Sequence, residues 1–212
     1  FAAVAGGPYA PIFARLYDPE DQAPLPFDTV EARRILREKG WSAGPDGILS
    51  KDGRRLAFTL VTNAENRRRV DIGQIVQRQW ARLGVVANLQ TLEFNTLVQR
   101  MTSREFDARI GGWNVGLSPD LYQTWGDPDL PSNYVSYDNP EVRRLFDVAA
   151  GQPTPEAAAV YWRQAASMIV ADQPYTWLFY YDTPWAVNER LRGTRIDTLS
   201  PFQEIWNWRI ES

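Results

Sequence analysis

The sequence predicts an α/β fold with a mostly parallel or mixed sheet flanked by helices. Three strand-like segments, at 56–62, 85–92 and 106–112, alternate with helical patterns over short connections. Strand–helix–strand units of this size form right-handed crossovers, so the three strands should be parallel neighbours. A chain of 212 residues is long enough to bury a sizeable hydrophobic core.

The N-terminal part begins with residues 1–27, which are rich in Gly, Ala and Pro and predict an extended segment across a surface. Asp28 followed by Glu31 is typical of a helix N-terminus, and Gly40 ends that helix. The Asp-Gly pair within 51–53 predicts a hairpin, because this pair favours positive φ. The second arm of this hairpin, 56–62, is the first of the three strands.

The remaining elements follow from the periodicity of apolar residues. Helices are predicted at 66–83, 95–103, 141–150 and 155–171. Residues 175–181 predict a strongly aromatic strand. In the tail, Trp206 and Trp208 at alternate positions predict a strand with one apolar side.

Composition excludes several classes of site. The net charge of −3 gives no sign of a phosphate-binding surface, so no nucleic acid partner is expected. Cys and His are both absent, which excludes zinc sites built on them, Cys nucleophiles, Ser-His-Asp triads and imidazole general bases. The lack of imidazole also disfavours nickel. We therefore expect no cofactor and no metal.

The chain contains no apolar run of about 18 residues, so no membrane-spanning helix is predicted. It begins at Phe1 rather than at Met, and we expect it to be an excised fragment. The lack of a visible signal peptide therefore indicates little about localisation.

A long segment between the third strand and Pro140 carries five aromatic residues. Loops of this length are uncommon in compact domains unless they are functional or disordered, and the aromatic content argues against disorder. Loops that leave the carboxyl ends of strands are where open α/β sheets bind ligands. We therefore predict that this segment forms half of a binding wall. Its aromatic residues are Trp113, Tyr122, Trp125, Tyr134 and Tyr137.

Four candidate ligand residues lie at strand ends. Trp113 follows a Gly-Gly pair, where its indole either stacks on a ligand or packs into the core. Asn63, Asn66 and Asn114 occupy strand-end loops. Their amides either hydrogen-bond a ligand or cap local structure.

Three further aromatic candidates each have an alternative role. Tyr122 and Trp125 stand at helical spacing, so they either contact the ligand or form a packed pair over the sheet. Tyr180 and Tyr181 face opposite sides of a strand, so at most one of them points towards a ligand. Tyr180 is the residue assigned to the candidate site.

The order of several motifs resembles the family 5 extracellular solute-binding proteins of ABC transporters, which include peptide, oligopeptide and nickel binders. The resemblance extends over roughly 7–193, nearly the whole chain. The matching motifs, in order, are DTVEARRILREKGW, GPDGILSKDGRRLAFTL, TNAENRRRVDIGQIVQRQWARLGV, FDARIGGW, NYVSYDNPEV and IVADQPYTWLFYY.

This resemblance implies a type II periplasmic-binding-protein architecture, in which two lobes close on a ligand. Residues 1–27 would enter from a missing N-terminal lobe, 28–182 would form the α/β ligand-binding lobe, and 183–212 would return to the first lobe. The resemblance also implies a protein without catalytic activity that delivers a small-molecule or oligopeptide solute to membrane permease subunits of an ABC importer. Such a protein would be periplasmic or extracellular, or anchored to the membrane as a lipoprotein.

One departure from the family pattern concerns the ligand's α-amino group. Peptide-binding members commonly place an Asp three residues after the Trp of this motif, whereas Gly116 stands there in this chain. A buried ammonium group needs a paired anion. Asp120, the next acidic residue, either replaces the missing Asp, or the solute is uncharged, such as an oligosaccharide.

Two other classes of function stay open from the sequence. A glycosidase needs two carboxylates about 5–10 Å apart. Asp127 and Asp129 are candidates by proximity, although the segment DPDLP predicts a turn. A protein-interaction module is the other alternative, because an isolated lobe would expose its cleft face.

Overall fold

The computed structural model describes residues 2–114, 118, 120–182, 184–197, 200 and 202–211. The chain divides into two compact units. The sheet unit comprises Leu25–Asn114 and Leu121–Arg144, and the terminal unit comprises Phe1–Pro24, Val115–Asp120 and Leu145–Ser212.

Strands and helices alternate at 57–109, with further helices and short strands on either side of this part of the chain. The helices are α1 (Thr29–Glu38), α2 (Arg67–Ala81), α3 (Phe94–Thr102), α4 (Tyr122–Trp125), α5 (Pro140–Ala150) and α6 (Pro155–Asp172), with a 3₁₀ turn at Ile205–Asn207. The strands are β1 (Ala2–Val4), β2 (Ser42–Ala43), β3 (Leu49–Lys51), β4 (Arg54–Arg55), β5 (Ala57–Asn63), β6 (Val86–Leu92), β7 (Ala108–Arg109), β8 (Phe179–Tyr181), β9 (Leu191–Arg192) and β10 (Arg209–Ile210). No helix among the described residues is both long enough and apolar enough to span a membrane.

A three-stranded parallel sheet organises the sheet unit. β5 is central and pairs in parallel with β6 from Ala57 to Asn63, and with β7 on its other side. The second half of β5 is buried, as expected of a central strand covered on both faces. The prediction that these three strands are parallel neighbours in one sheet is thus confirmed.

β7 is shorter than predicted because side chains replace its backbone ladder at both ends. Asp107 Oδ2 accepts a hydrogen bond from the backbone N–H of Thr59 at 2.8 Å. At the other end, the Thr62 hydroxyl donates to the backbone carbonyl of Ile110 at 3.1 Å. Only two residues, Ala108 and Arg109, therefore pair with β5 as a strand.

Local sequence patterns determine the helix start and the turn in the N-terminal half of the sheet unit. The Asp28 carboxylate accepts hydrogen bonds from the backbone N–H groups of Val30 and Glu31, so it caps α1 as predicted. β3 and β4 form a hairpin at the predicted turn, in which Lys51 pairs with Arg54. Its second arm is β4 rather than the predicted strand at 56–62, which is β5 and pairs with β6 and β7 instead. The two residues between β3 and β4, Asp52 and Gly53, have φ of 51° and 74°, as a type I′ turn requires.

The terminal unit corrects the expectation of an extended segment at 1–27. Among the described residues of this segment, β1 is the only strand, and it pairs antiparallel with β8. Residues 11–22 form successive turns. The cause is a long-range contact: the buried side chain of Gln22 accepts from the Tyr9 backbone N–H and donates to the Leu16 carbonyl. Gly6 allows this folding-back, because a Cβ there would lie 1.7 Å from the Gln22 backbone oxygen.

The tail also differs from its predicted form. Trp206 lies in the 3₁₀ turn and is 79% exposed, so the predicted strand through Trp206 and Trp208 is wrong. Glu204 has φ of 52°, and this left-handed residue starts the turn where an extended chain was expected. No described residue from 184 to 211 is buried, so the tail packs loosely.

Candidate functional site

The carboxyl end of β5 carries two of the predicted asparagines, and both have partners within the sheet unit. Asn66 is the N-cap of α2, and its side-chain oxygen accepts from the Arg69 backbone N–H at 3.1 Å. Asn63 is buried at the end of β5, and its Oδ1 accepts from Arg69 Nη1 at 2.9 Å. Asn66 therefore acts as a helix cap, whereas Asn63 orients the Arg69 guanidinium group at the carboxyl end of β5.

Trp113 is partly exposed and partly packed. It follows β7 and the pair Gly111-Gly112, and 42% of its surface is exposed. Its indole stacks on the Tyr134 ring, with centroids 5.7 Å apart and planes 15° apart. The neighbouring Asn114 is exposed. Trp113 is therefore not a core residue, and it offers apolar surface at a strand end.

The predicted pair at Tyr122 and Trp125 forms one short helix, α4. Trp125 is only 3% exposed, and its ring meets Tyr137 edge-on with centroids 5.7 Å apart. Tyr122 is half-buried, and its ring lies over Gly126, where a Cβ would come within 2.5 Å of it. The packing alternative thus describes Trp125, and direct ligand contact by these two residues stays a prediction.

Asn133 is a structural residue of the aromatic loop that sequence reasoning missed. Its side chain is fully buried. The amide nitrogen donates to the carbonyls of Asp127 and Tyr137 at 2.9 and 2.8 Å, and the amide oxygen accepts from the Tyr137 N–H at 2.9 Å. An Asn in such a loop predicts a turn or a cap, but nothing local identifies these partners.

Asp127 and Asp129, the two residues considered for a glycosidase, form part of the aromatic loop. Asp127 Oδ1 accepts from the backbone N–H of Asp129 at 2.9 Å, which is the predicted turn. Its other oxygen lies 3.6 Å from an Arg143 guanidinium nitrogen. Arg143 also donates to the Gly126 carbonyl at 2.8 Å. This geometry gives both aspartates a role in the loop and gives no support to a catalytic pair.

The other candidate residues belong to the terminal unit. Asp120 is exposed, and its backbone N–H donates to the Ser118 hydroxyl at 3.2 Å. The Tyr180 hydroxyl lies 2.6 Å from the Gly7 carbonyl and 2.7 Å from the Tyr9 carbonyl. Gly116 lies outside the described residues. Ligand contacts by Asp120, Gly116 and Tyr180 stay predictions.

Two tyrosines of the terminal unit have perturbed acidity. Burial, helped by the charge of Asp120, raises the pKa of Tyr9 far above its usual value. Burial also raises the pKa of Tyr180 to about 12. Both hydroxyls are therefore neutral at physiological pH, and that of Tyr180 serves as a hydrogen-bond donor to backbone carbonyls.

A shallow cavity of about 360 Å³ lies in the sheet unit at the amino end of β7, away from the candidate residues. Its walls carry both positive and negative side chains. Within the described ranges, no three acidic, His or Cys side chains gather as a metal site would require. The cavity is lined by Thr59, Val61, Arg100, Arg104, Glu105, Phe106 and Asp107.

Comparison with known proteins identifies the family. The model of the bacterial extracellular solute-binding proteins, family 5 (middle part), matches residues 1–134. The chain belongs to this family. The predicted membership and the α/β fold class of type II periplasmic binding proteins are thereby confirmed.

Individual relatives of this family 5 chain are oligopeptide-binding proteins. It is 33% identical to the oligopeptide-binding protein AppA of Bacillus subtilis over 187 residues, which is 86% of this chain and 34% of AppA. The structure of AppA in complex with a nonapeptide matches all of this chain and 43% of that one, with 30% identity and a TM-score of 0.87. The chain thus spans about a third of the length of the relatives it matches.

A more distant structure supports the fold alone. The oligopeptide-binding protein of Thermus thermophilus, complexed with a pentapeptide, is 22% identical and has a TM-score of 0.79. The match covers 90% of this family 5 chain and 35% of the Thermus chain.

Replacing Tyr180 by Phe in the full-length family 5 protein should lower the free energy of unfolding by about 1 kcal/mol at neutral pH, because a hydrogen bond to a backbone carbonyl is lost. The difference between the two proteins should shrink as the pH rises from 10 towards 12. In this window an unfolded tyrosine releases its proton while the folded Tyr180 keeps it, so ionisation favours unfolding of the parent only. Urea denaturation at several pH values measures both effects. A difference in the free energy of unfolding that does not change with pH would contradict the raised pKa of Tyr180 in the folded protein.

Proposed function

We propose that this chain is the ligand-binding lobe of an extracytoplasmic protein that delivers a peptide-like solute to an ABC importer by closure of two lobes. The observation that carries this proposal is the likeness to AppA, at 33% identity in sequence and a TM-score of 0.87 in structure. In this proposal the protein catalyses nothing, because a partner ATPase supplies the energy of transport. Its partners are the solute and the permease subunits in the membrane.

The sheet unit supplies the residues of the proposed ligand wall. β5 and β7 are parallel neighbours, so the residues that follow them lie at one edge of the sheet. Asn63 and Asn66 follow β5 or end it, and Trp113 and Asn114 follow β7. This edge combines an aromatic surface for stacking with the exposed amide of Asn114. The amide nitrogens of Asn63 and Asn66, whose oxygens accept from Arg69, are proposed to pair with the peptide backbone as well.

The two chain ends are proposed to connect this lobe with the remainder of the full-length protein. The tail exposes large apolar side chains, including Trp185 at 53% and Trp206 at 79%. Apolar surface of this kind is normally covered by another part of a protein.

The full-length protein is proposed to work in the periplasm or outside the cell, either as a free protein or as a membrane-anchored lipoprotein.

Native mass spectrometry of the purified full-length protein tests the nature of the solute. We expect bound masses that correspond to peptides, and calorimetric titration with the identified peptides should reproduce their binding. A protein that co-purifies with an oligosaccharide and does not bind peptides would favour the alternative solute class. This class is considered because Gly116 stands where peptide-binding members of the family commonly have an Asp. Hydrolysis of a bound glycan by the purified protein would overturn the proposal of a binding protein.

A further inference from the structure

We propose that Tyr134 is a positioning residue, which holds the Trp113 indole in the orientation that meets the ligand. This inference rests on the proposed function of the lobe. Tyr134 and Trp113 are far apart in sequence and come together only in the fold. Their rings are nearly parallel, 15° apart, with centroids separated by 5.7 Å, as in an offset stack.

Trp113 lies beyond the point where β7 pairs with β5. Its backbone follows Gly111-Gly112, and the ladder with β5 ends at Ile110, whose N–H donates to the Val61 carbonyl. Within the part of the chain that the structure describes, no hydrogen bond fixes the indole. The stack on Tyr134 is therefore the contact that sets the direction of the Trp113 ring.

Tyr134, in contrast, rests on the core of the sheet unit. Its ring packs against the cluster of Val61, Leu97 and Met101, which is buried. The guanidinium carbon of Arg109 lies 5.4 Å from the centre of the same ring, within the range of a cation–π contact.

Arg109 is itself held in place. Its Nη1 contacts the Met101 sulfur at 2.7 Å. Gly111 leaves room for the guanidinium, because a Cβ there would lie 2.5 Å from Arg109 Nη2. A continuous set of contacts thus runs from the core through Tyr134 to the exposed indole.

The functional consequence is a ring that is ordered before the ligand arrives. A large side chain on a loosely held loop loses rotational freedom when it binds, and this loss weakens affinity. A stack that already fixes the ring removes most of that cost. From the usual cost of immobilising one side chain, loss of the stack should weaken binding by about three- to tenfold.

A double-mutant cycle in the full-length protein tests this role. The four proteins are the parent, Tyr134→Leu, Trp113→Ala and the double variant. Binding of a fluorophore-labelled pool of random nonapeptides is measured by polarisation. Tyr134→Leu should weaken binding about three- to tenfold in the parent but less than about twofold in the Trp113→Ala background, because the ring it positions is gone.

Control variants separate positioning from other roles. Tyr134→Phe keeps the ring and should bind within about twofold of the parent, since stacking does not need the hydroxyl. Should Tyr134→Leu fail to fold, Tyr134→Met fills the same apolar space without an aromatic face and carries the same expectation. Circular dichroism and thermal unfolding confirm that each compared variant is folded.

Two results would overturn the inference, and they are distinguishable from each other. Equal losses from Tyr134→Leu in both backgrounds would mean that Tyr134 does not act through Trp113. An unchanged affinity of Trp113→Ala would remove Trp113 from the ligand site, and would thereby overturn the site assignment as well as the positioning role.

Discussion

Replacing Trp113 with Ala in the full-length protein should weaken peptide binding by about 1–3 kcal/mol. The indole is 42% exposed at the end of a parallel strand, so its free surface is available for stacking on a peptide. Calorimetric titration of the parent and the variant with the same peptide measures the loss. Thermal stability without ligand should fall only slightly, because the variant loses one ring stack and no buried core contact.

Trp113→Phe is the matched control for this substitution. It keeps an aromatic ring that can stack on Tyr134 and on a ligand, so it should retain most of the affinity that Trp113→Ala loses. The opposite pattern, a large fall in the melting temperature with unaltered affinity, would make Trp113 a core residue. It would also contradict the proposed ligand wall.

Asn133→Ala should lower the free energy of unfolding by about 3–5 kcal/mol, which is large for a single polar residue. The substitution removes three hydrogen bonds from a fully buried side chain. The carbonyl and the N–H of Tyr137 then lose their bonds to the Asn133 amide, while the Asp127 carbonyl keeps a hydrogen bond from the Leu130 N–H at 3.3 Å. Each buried polar group left unsatisfied costs about 1–3 kcal/mol. Urea denaturation of the ligand-free full-length protein measures this change.

Asn95→Ala is a suitable comparison, because this Asn is exposed and its amide donates only to the Glu93 side chain at 3.0 Å. Its substitution should change the free energy of unfolding by less than about 0.5 kcal/mol. A loss below about 1 kcal/mol for Asn133→Ala would show that other contacts hold the aromatic loop.

The sequence predicted those parts of the fold that depend on local patterns. Apolar periodicity located the helices and the three parallel strands, and the turn at Asp52-Gly53 followed from the φ values that the pair favours. Asn66 was recognised as a possible cap from its position alone, and it caps α2. Each of these features depends on residues within one or two turns of each other.

The parts that were missed depend on distant partners. Residues 11–22 fold into turns because Gln22 reaches back to Tyr9, and no neighbour in the sequence indicates this contact. Tyr134 acquires its role only when it meets Trp113 in the assembled fold. Asn133 bonds Asp127 and Tyr137 within its own loop, where no repeating pattern in the sequence indicates these partners. The aromatic loop could therefore be identified as a candidate site, but its internal support could not.

Side-chain hydrogen bonds lie at both ends of β7, from the Thr59 N–H to Asp107 and from the Thr62 hydroxyl to Ile110. The short strand between them has a consequence for solubility. A long edge strand with free N–H and C=O groups is a template on which another extended chain can pair and start aggregation. Here the edge consists of two residues, with the Asp107 carboxylate at one end and Gly111-Gly112 beyond the other. At the β7 edge, a protein proposed to handle extended peptides thus offers them little backbone on which to extend its sheet, whereas the opposite edge, β6, is seven residues long.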